Sequence, residues 1–324
     1  MPKPSAQLAK FEPMLGTWSG KGVARDGAGS QSQPWTATMT IQRVLDGFAV
    51  QEDLIIEFGA PTPFLMRTIY GFDSSSQTPS AVAMSNEGHL NGMGYEFDGD
   101  GILVVYGIDR GSDGKGTGVG RSRVEFTKDS YKFVHDGSRG AGAPFVEVEG
   151  EFKRHKGDAP KAVDVAVAKM PLGAEMKSLG ALAGAYQVSG KMLMMPGAPV
   201  MDVTGVDSYL PLYGGMIMQE SVAGDPTDGM PSYVSHAYIG WNSLTSNYDW
   251  FVFDNMGVAT HMISRWTKPG TEMVAAGCMV SMGSPVSANA VITAGEQGIT
   301  AMKCHTLWGA NEPMVSFDAK FTRK

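Results

Sequence analysis

The chain repeats itself. Segments of its first half recur 168 to 170 residues later in the same order: "LGTW" at 15–18 answers "AGAY" at 183–186, "VQEDL" at 50–54 answers "MQESV" at 218–222, and "IYGFD" at 69–73 answers "YIGWN" at 238–242. Asn86 and Gly88 recur as Asn255 and Gly257, His135 as His305, and "FVEVEGEFKR" at 145–154 as "MVSFDAKFTR" at 314–323. Six matches in register along the whole length imply two domains of one fold, each burying its own core. Each half has about 150 residues, enough for a sizeable interior. The expected division is a first domain over 1–155, a linker over 156–174 and a second domain over 175–324. Prolines and small residues in "KGDAPKAVDVAVAKMPLG" suit such a linker, with one short helix.

Each copy opens on an amphipathic stretch, Leu8, Phe11 and Leu15 in the first and Met176, Leu179 and Ala183 in the second, spaced as one helical face. Beyond that stretch both copies have the period of strands. Val146, Val148, Gly150 and Phe152 alternate with Glu147, Glu149 and Glu151, and Val315, Phe317, Ala319 and Phe321 repeat the pattern, as half-buried sheet does. The 42 glycines fit short strands joined by turns. The expected fold is all-β: two tandem antiparallel barrels, each preceded by a short helix. The residues "LGTWSGKG" at 15–22, Gly-aromatic-Asp/Asn at 71–73 and 240–242, and the late alternating strand make the chain resemble calycin-like small β-barrels. These are barrels of the lipocalin and nitrobindin type, and bacterial domains built like them. The resemblance covers nearly the whole chain in two lipocalin-like copies and implies a cavity inside the barrel, though it names no ligand.

Several function classes are disfavoured. No run approaches the ~18 to 20 apolar residues of a membrane helix, and "MPKPSAQLAK" has no apolar region behind its charges, so a cytoplasmic location with no membrane partner is the expectation. A net charge of −7, with no basic cluster beyond short groups such as "FKRHK" at 152–156, argues against nucleic acid. Cys278 and Cys304 lack zinc or disulfide spacing. "GSDGKGTGVG" at 111–120 fails both phosphate-loop and dinucleotide spacing and reads as a hairpin loop. A homo-oligomer is compatible with this composition.

Nitrobindin-like barrels bind haem through one histidine, and His135 and His305 are the histidines shared by both copies. Their faces conflict: His135 shares one with Tyr131 and Phe133, His305 with Lys303, while Met302, Cys304, Thr306 and Trp308 form the apolar side. The second copy also departs from "GTWSGKG", reading "GAYQVSGK". In "KMLMMPGAPVMD" at 191–202, Met192 and Met194 have the spacing of a copper thioether site, but no histidine is near. The expectation is therefore no metal and no cofactor. Fifteen of the 22 methionines lie between 176 and 314, and methionine fills irregular apolar space.

One residue type breaks the alternation. Glu52 falls on the face of Phe48, Val50, Leu54, Ile56 and Phe58, and Glu220 on that of Met216, Met218 and Val222. A carboxylate on such a face must be paired, hydrogen-bonded or protonated. Periodicity offers Arg67, between Leu65 and Ile69, as a structural ion-pair partner for Glu52, and His236, between Val234 and Tyr238, as a proton-exchanging partner for Glu220. The leading expectation is binding of a small apolar or aromatic molecule in the second barrel. Met192, Met194, Met216, Met218, Tyr238, Trp241, Trp250, Phe251, Phe253 and His305 would line it. The alternative is a cofactor-independent acid–base enzyme (a lyase, isomerase or hydratase) in which Glu220 and His236 move the proton.

Overall fold

The structure, a computed structural model, describes residues 3–99, 101–110, 117–139, 142–157, 163–227, 232–281 and 284–324. It divides into two compact units, Pro4–Phe72 with Pro79–Met170 and, short pieces apart, Pro171–Lys324. In the first, strands β1 (Gly16–Ala24), β2 (Gln33–Val44), β3 (Ala49–Glu57), β4 (Phe64–Asp73), β5 (Thr78–Ser85), β6 (Leu90–Phe97), β7 (Ile102–Arg110), β8 (Thr117–Phe126), β9 (Ser130–Arg139) and β10 (Phe145–Arg154) form one closed antiparallel barrel. In the second, β11 (Gly184–Met192), β12 (Met201–Leu212), β13 (Ile217–Gly224), β14 (Val234–Asn242), β15 (Asn247–Asp254), β16 (Ala259–Lys268), β17 (Glu272–Ser281), β18 (Ser284–Gly295), β19 (Gly298–Trp308) and β20 (Met314–Arg323) form another. Ten strands make a wider barrel than the eight of a lipocalin. Among the described residues no helix is long and apolar enough to cross a membrane.

Short helices precede the barrels as expected: α1 (Ala6–Ala9), capped by the Ser5 hydroxyl, and α2 (Ala174–Leu179), each followed by a 3-10 turn. Their buried residues are Leu8, Phe11 and Met14, then Met176, Leu179 and Leu182. The third member is Met14 rather than Leu15, and Leu182 rather than Ala183, because the last turn tightens to three residues and moves the apolar face back by one. Of the expected linker, residues 156, 157 and 163–173 carry no helix, and Ala174 already opens α2. Of the glycine-rich stretch 111–120, residues 111–116 lie outside the described residues and 117–120 open β8.

Closure depends on the first and last strands, which pair from Trp18↔Arg154 to Ala24↔Val148 and from Tyr186↔Arg323 to Met192↔Phe317. At this seam the Arg154 guanidinium lies 4.0 Å from the Trp18 ring centroid and donates to the carbonyls of Leu15, Pro13 and Lys128. The Trp18 indole donates in turn to the Met14 carbonyl at 2.8 Å, tying the helical entry to the barrel floor. Gly16 has φ +115°, and a Cβ there would stand 2.6 Å from the Arg154 guanidinium, so only glycine lets the arginine in. The second barrel repeats the device: Tyr186 donates to the Leu182 carbonyl at 2.8 Å, and Arg323 to the carbonyls of Gln297 and Ala183.

A second shared device sets register. Between β2 and β3, Leu45, Asp46 and Gly47 have φ of 51°, 55° and 90°; between β12 and β13, Tyr213, Gly214 and Gly215 have 52°, 66° and 93°. Three left-handed residues make a tight connection that fixes which residues oppose each other. Ile41 then faces Glu52, and Tyr209 faces Glu220.

Arg154→Ala should lower the unfolding free energy by about 2 to 4 kcal/mol, from the lost charged hydrogen bonds and cation–π contact. Arg154→Lys should recover less than half of it, because an ammonium cannot reproduce the fork. Urea unfolding reads both, and an unchanged midpoint for Arg154→Ala would remove the seam's claimed role.

Candidate functional site

Both unusual glutamates point into their barrels. On β3, Glu52 shares the inner face with Val50, Leu54 and Ile56 of the core; on β13, Glu220 shares it with Met218. The two are satisfied from opposite neighbours. Tyr70 of β4 donates its hydroxyl to Glu52, while Tyr209 of β12 donates to Glu220 Oε1 at 2.8 Å. Glu52 Oε2 has no hydrogen-bond partner among the described residues. Burial, and after it the charge of Asp53, raises the Glu52 carboxyl to about 7.

The second barrel adds a second carboxylate. Asp207, two residues before Tyr209 on β12 and 3% exposed, opens onto the same interior, and its Oδ1 has no partner among the described residues. The corresponding residue of β2 is Met39. Burial raises both carboxyls, and the Glu220 charge raises Asp207 further, so the two are not both ionised at neutral pH. Cys304, facing inward from β19, is pushed up to about 12 by burial and then by Glu220. At the end of β15, Asp254 accepts from the Met256 and Val258 amides and from the Tyr233 hydroxyl.

The interiors are filled differently. Phe11 enters the first barrel and packs within 4.9 to 5.6 Å of Tyr70, Tyr95 and Phe97, while Trp18, Trp35, Phe126, Tyr131 and Phe152 crowd the same core. In the second, Leu179 stands where Phe11 stands, and Gly190, Gly205, Ala237, Ala275, Ala290 and Ala319 take inward positions. Val252, Met262 and Met302 also face inward yet are only half-buried, so water reaches the inner surface.

The structure separates several residues that periodicity grouped. Glu220 pairs with Ala237 and Ser221 with His236, so Glu220 and His236 lie on opposite faces of the sheet and the expected proton-exchanging pair does not form. Likewise Asp53, not Glu52, faces Arg67, whose guanidinium grips it through Nε and Nη2 at 2.7 and 3.2 Å on the outer face. In both cases the register falls one residue from the expected one, and one residue exchanges the faces. Met218 and Trp250 belong to the interior core, and Met192 faces inward at the end of β11, half-buried. Tyr238, Phe251 and Phe253 are buried on the outer face, because Ala237, Ile239, Trp250 and Val252 take the inner positions. Met194 lies in the turn after β11 and Met216 in the turn before β13. His305 is exposed on the outside of β19, lining a surface groove of about 780 Å³ with His261, Ile263, Cys278 and Leu307. That groove contains none of the interior carboxylates.

Asp207 and Tyr209 escaped sequence reasoning. In "VDSYL" at 206–210 the apolar residues Val206 and Leu210 occupy the outer face, and Leu210 is 53% exposed, so alternation assigns the polar side to solvent. It is the strand register, with Tyr209 opposite Glu220, that turns both inward.

No family model matches the chain, and no curated relative matches it either. Among solved structures, Rv2717c from M. tuberculosis is similar at 12% identity and TM-score 0.37, over 48% of this chain and 100% of its own. The S-type phycobiliprotein lyase CPES from Guillardia theta is similar at 11% identity and TM-score 0.32, over the same shares. A DUF3598 family protein of unknown function from Nostoc punctiforme aligns over 99% of this chain and 100% of its own, at 11% identity and TM-score 0.28. At that level of likeness nothing about function passes from them to this protein.

A carboxyl raised on folding from its ordinary value of 4.5 to about 7 stabilises the fold while protonated, and that contribution is lost as pH rises through this window. Stability should therefore fall from pH 5 to pH 8, by on the order of 3 kcal/mol for Glu52 alone. Glu52→Gln keeps the acceptor for Tyr70 and removes the titration, so thermal melts of that variant should lose this part of the slope. A slope identical to wild type would mean that Glu52 is ionised at no cost.

Proposed function

We propose that this protein binds a small, largely apolar or aromatic molecule inside its second barrel. The observation that carries the reading is a contrast of degree between interiors: rings are denser in the first, whereas in the second fewer rings stand among small residues and half-buried methionines. Methionine adapts to varied shapes at little cost, which suits a wall that must close around a ligand. Met192, Met218, Trp241 and Trp250 remain in the lining from the sequence-based set, and Tyr209, Asp207 and Cys304 join them.

A second reading, acid–base catalysis of the lyase, isomerase or hydratase kind, draws on one feature. Asp207 and Glu220 share an interior in which one carboxyl holds a proton while the other gives it up, the condition for an acid and a base to work side by side. Glu220 keeps its place in that reading, with Asp207 and Tyr209 where His236 was expected.

Binding is testable without knowing the natural ligand. Nile red, a neutral apolar dye, should bind the protein and accept excitation energy from tryptophan. Ala290→Phe, which fills the inner face between Ala275 and Cys304, should weaken it by about tenfold or more, corresponding to ~1.4 kcal/mol. Circular dichroism establishes that the variant is folded. Unaltered dye affinity in a folded Ala290→Phe protein would mean the dye sits elsewhere and would sink the reading.

A further inference from the structure

The interior of the second barrel is acidic and uncompensated. Asp207, Glu220 and Asp254 are each at least nine-tenths buried there. Among the described residues, the lysines, arginines and histidines of β11–β20 stand on the outer face, apart from Lys268 and Arg323 at strand ends. Both of these are exposed, and they engage Glu272 and the carbonyls of Gln297 and Ala183. Asp254 is satisfied by two amides and a phenol. Asp207 and Glu220 are less fully satisfied: the Tyr209 hydroxyl serves both and the Ser208 amide reaches Asp207, yet Asp207 Oδ1 remains an acceptor without a donor among the described residues.

A buried acceptor without a donor costs free energy that a protein ordinarily removes. Here the missing partner has a defined chemistry. It must donate hydrogen bonds, it gains from positive charge beside two carboxyls, and its neighbours would be Tyr209, Trp250 and methionines, whose ring faces and thioethers suit a cation with an apolar body. We propose that the second barrel is a receptor for an organic cation, a small alkyl or aryl amine whose ammonium group donates to Asp207 and Glu220. The inference rests on the binding reading and names the class of ligand.

Proton exchange comes from the same geometry. An ammonium beside the carboxyls favours their ionised forms, so a proton held on one of them leaves to solvent and uptake of the amine releases it. The groups facing the pair are Tyr186 on β11, whose hydroxyl donates to the Leu182 carbonyl, Tyr209 on β12, Tyr233 before β14, Asp254 on β15 and Cys304 on β19. Burial raises Tyr209, Tyr233 and Cys304, so these stay neutral and the carboxyls do the exchanging.

Isothermal titration with phenethylamine, 2-phenylethanol and 3-phenylpropionate compares a cation, a neutral isostere and an anion on one body. The amine should bind about tenfold or more tighter than the alcohol, as expected for added charge-assisted hydrogen bonds. The carboxylate should bind weakest. In buffers of different ionisation heat, only the amine should show proton release. Asp207→Asn should bring the amine to within about threefold of the alcohol and leave the alcohol unchanged, with Glu220→Gln as the second variant. Alcohol and amine binding equally, or Nile red binding while the amine does not, would overturn the cation assignment and leave the binding reading standing. Failure of Nile red and all three phenyl compounds would overturn both.

Discussion

The pairing of β1 with β10, and of β11 with β20, leaves neither sheet an edge, and every inner side chain must then find its partners inside the barrel. An arginine on each final strand, Arg154 and Arg323, holds that seam by donating to carbonyls at the entry to the first strand. Glycines with φ +115° and +148° stand beside them. Charge is thus tolerated where the seam meets solvent, since both guanidinium heads are hydrogen-bonded and that of Arg154 lies over the Trp18 ring. Deeper in, the same enclosure turns any carboxyl into a demand for a donor.

Two solutions to that demand occur on one scaffold. In the first barrel Tyr70 comes to Glu52 from β4, and the rings around it close the space. In the second Tyr209 comes to Glu220 from β12, and the position across the sheet is Ala237. Moving the tyrosine to the other neighbouring strand leaves Ile239 where Tyr70 stands and frees the adjoining wall for alanine. Asp207 then introduces a second acid where the first barrel has a methionine. The first arrangement favours a packed core. The second leaves a carboxyl oxygen without a donor among the described residues, beside small inward side chains.

The outer faces obey a different logic. Arg67 and Asp53 form a fork-to-carboxylate pair there, only 14% and 17% exposed, and His261 joins Asp249 at 2.9 Å while stacking on Phe251. These are satisfied ion-pair and ring contacts rather than open acceptors. They explain why histidine and arginine, the residue types that first suggest chemistry in the sequence, lie away from the interior.

The sequence by itself determined the two-barrel architecture, the helix before each barrel and the inward glutamates, because repeat, period and a misplaced charge are properties of the order of residues. It also marked Met218 and Trp250 as interior residues. Only the tertiary structure decided the partners. A shift of one residue in register exchanges the faces, which separated Glu220 from His236 and gave Arg67 to Asp53. Runs apolar on both faces, such as Trp250 to Phe253, carry no period that says which ring points inward. The acid beside Glu220 was hidden for the same reason: Asp207 and Tyr209 become inner residues only when the left-handed turn at Tyr213–Gly215 aligns β12 with β13 and closure decides which side is inside.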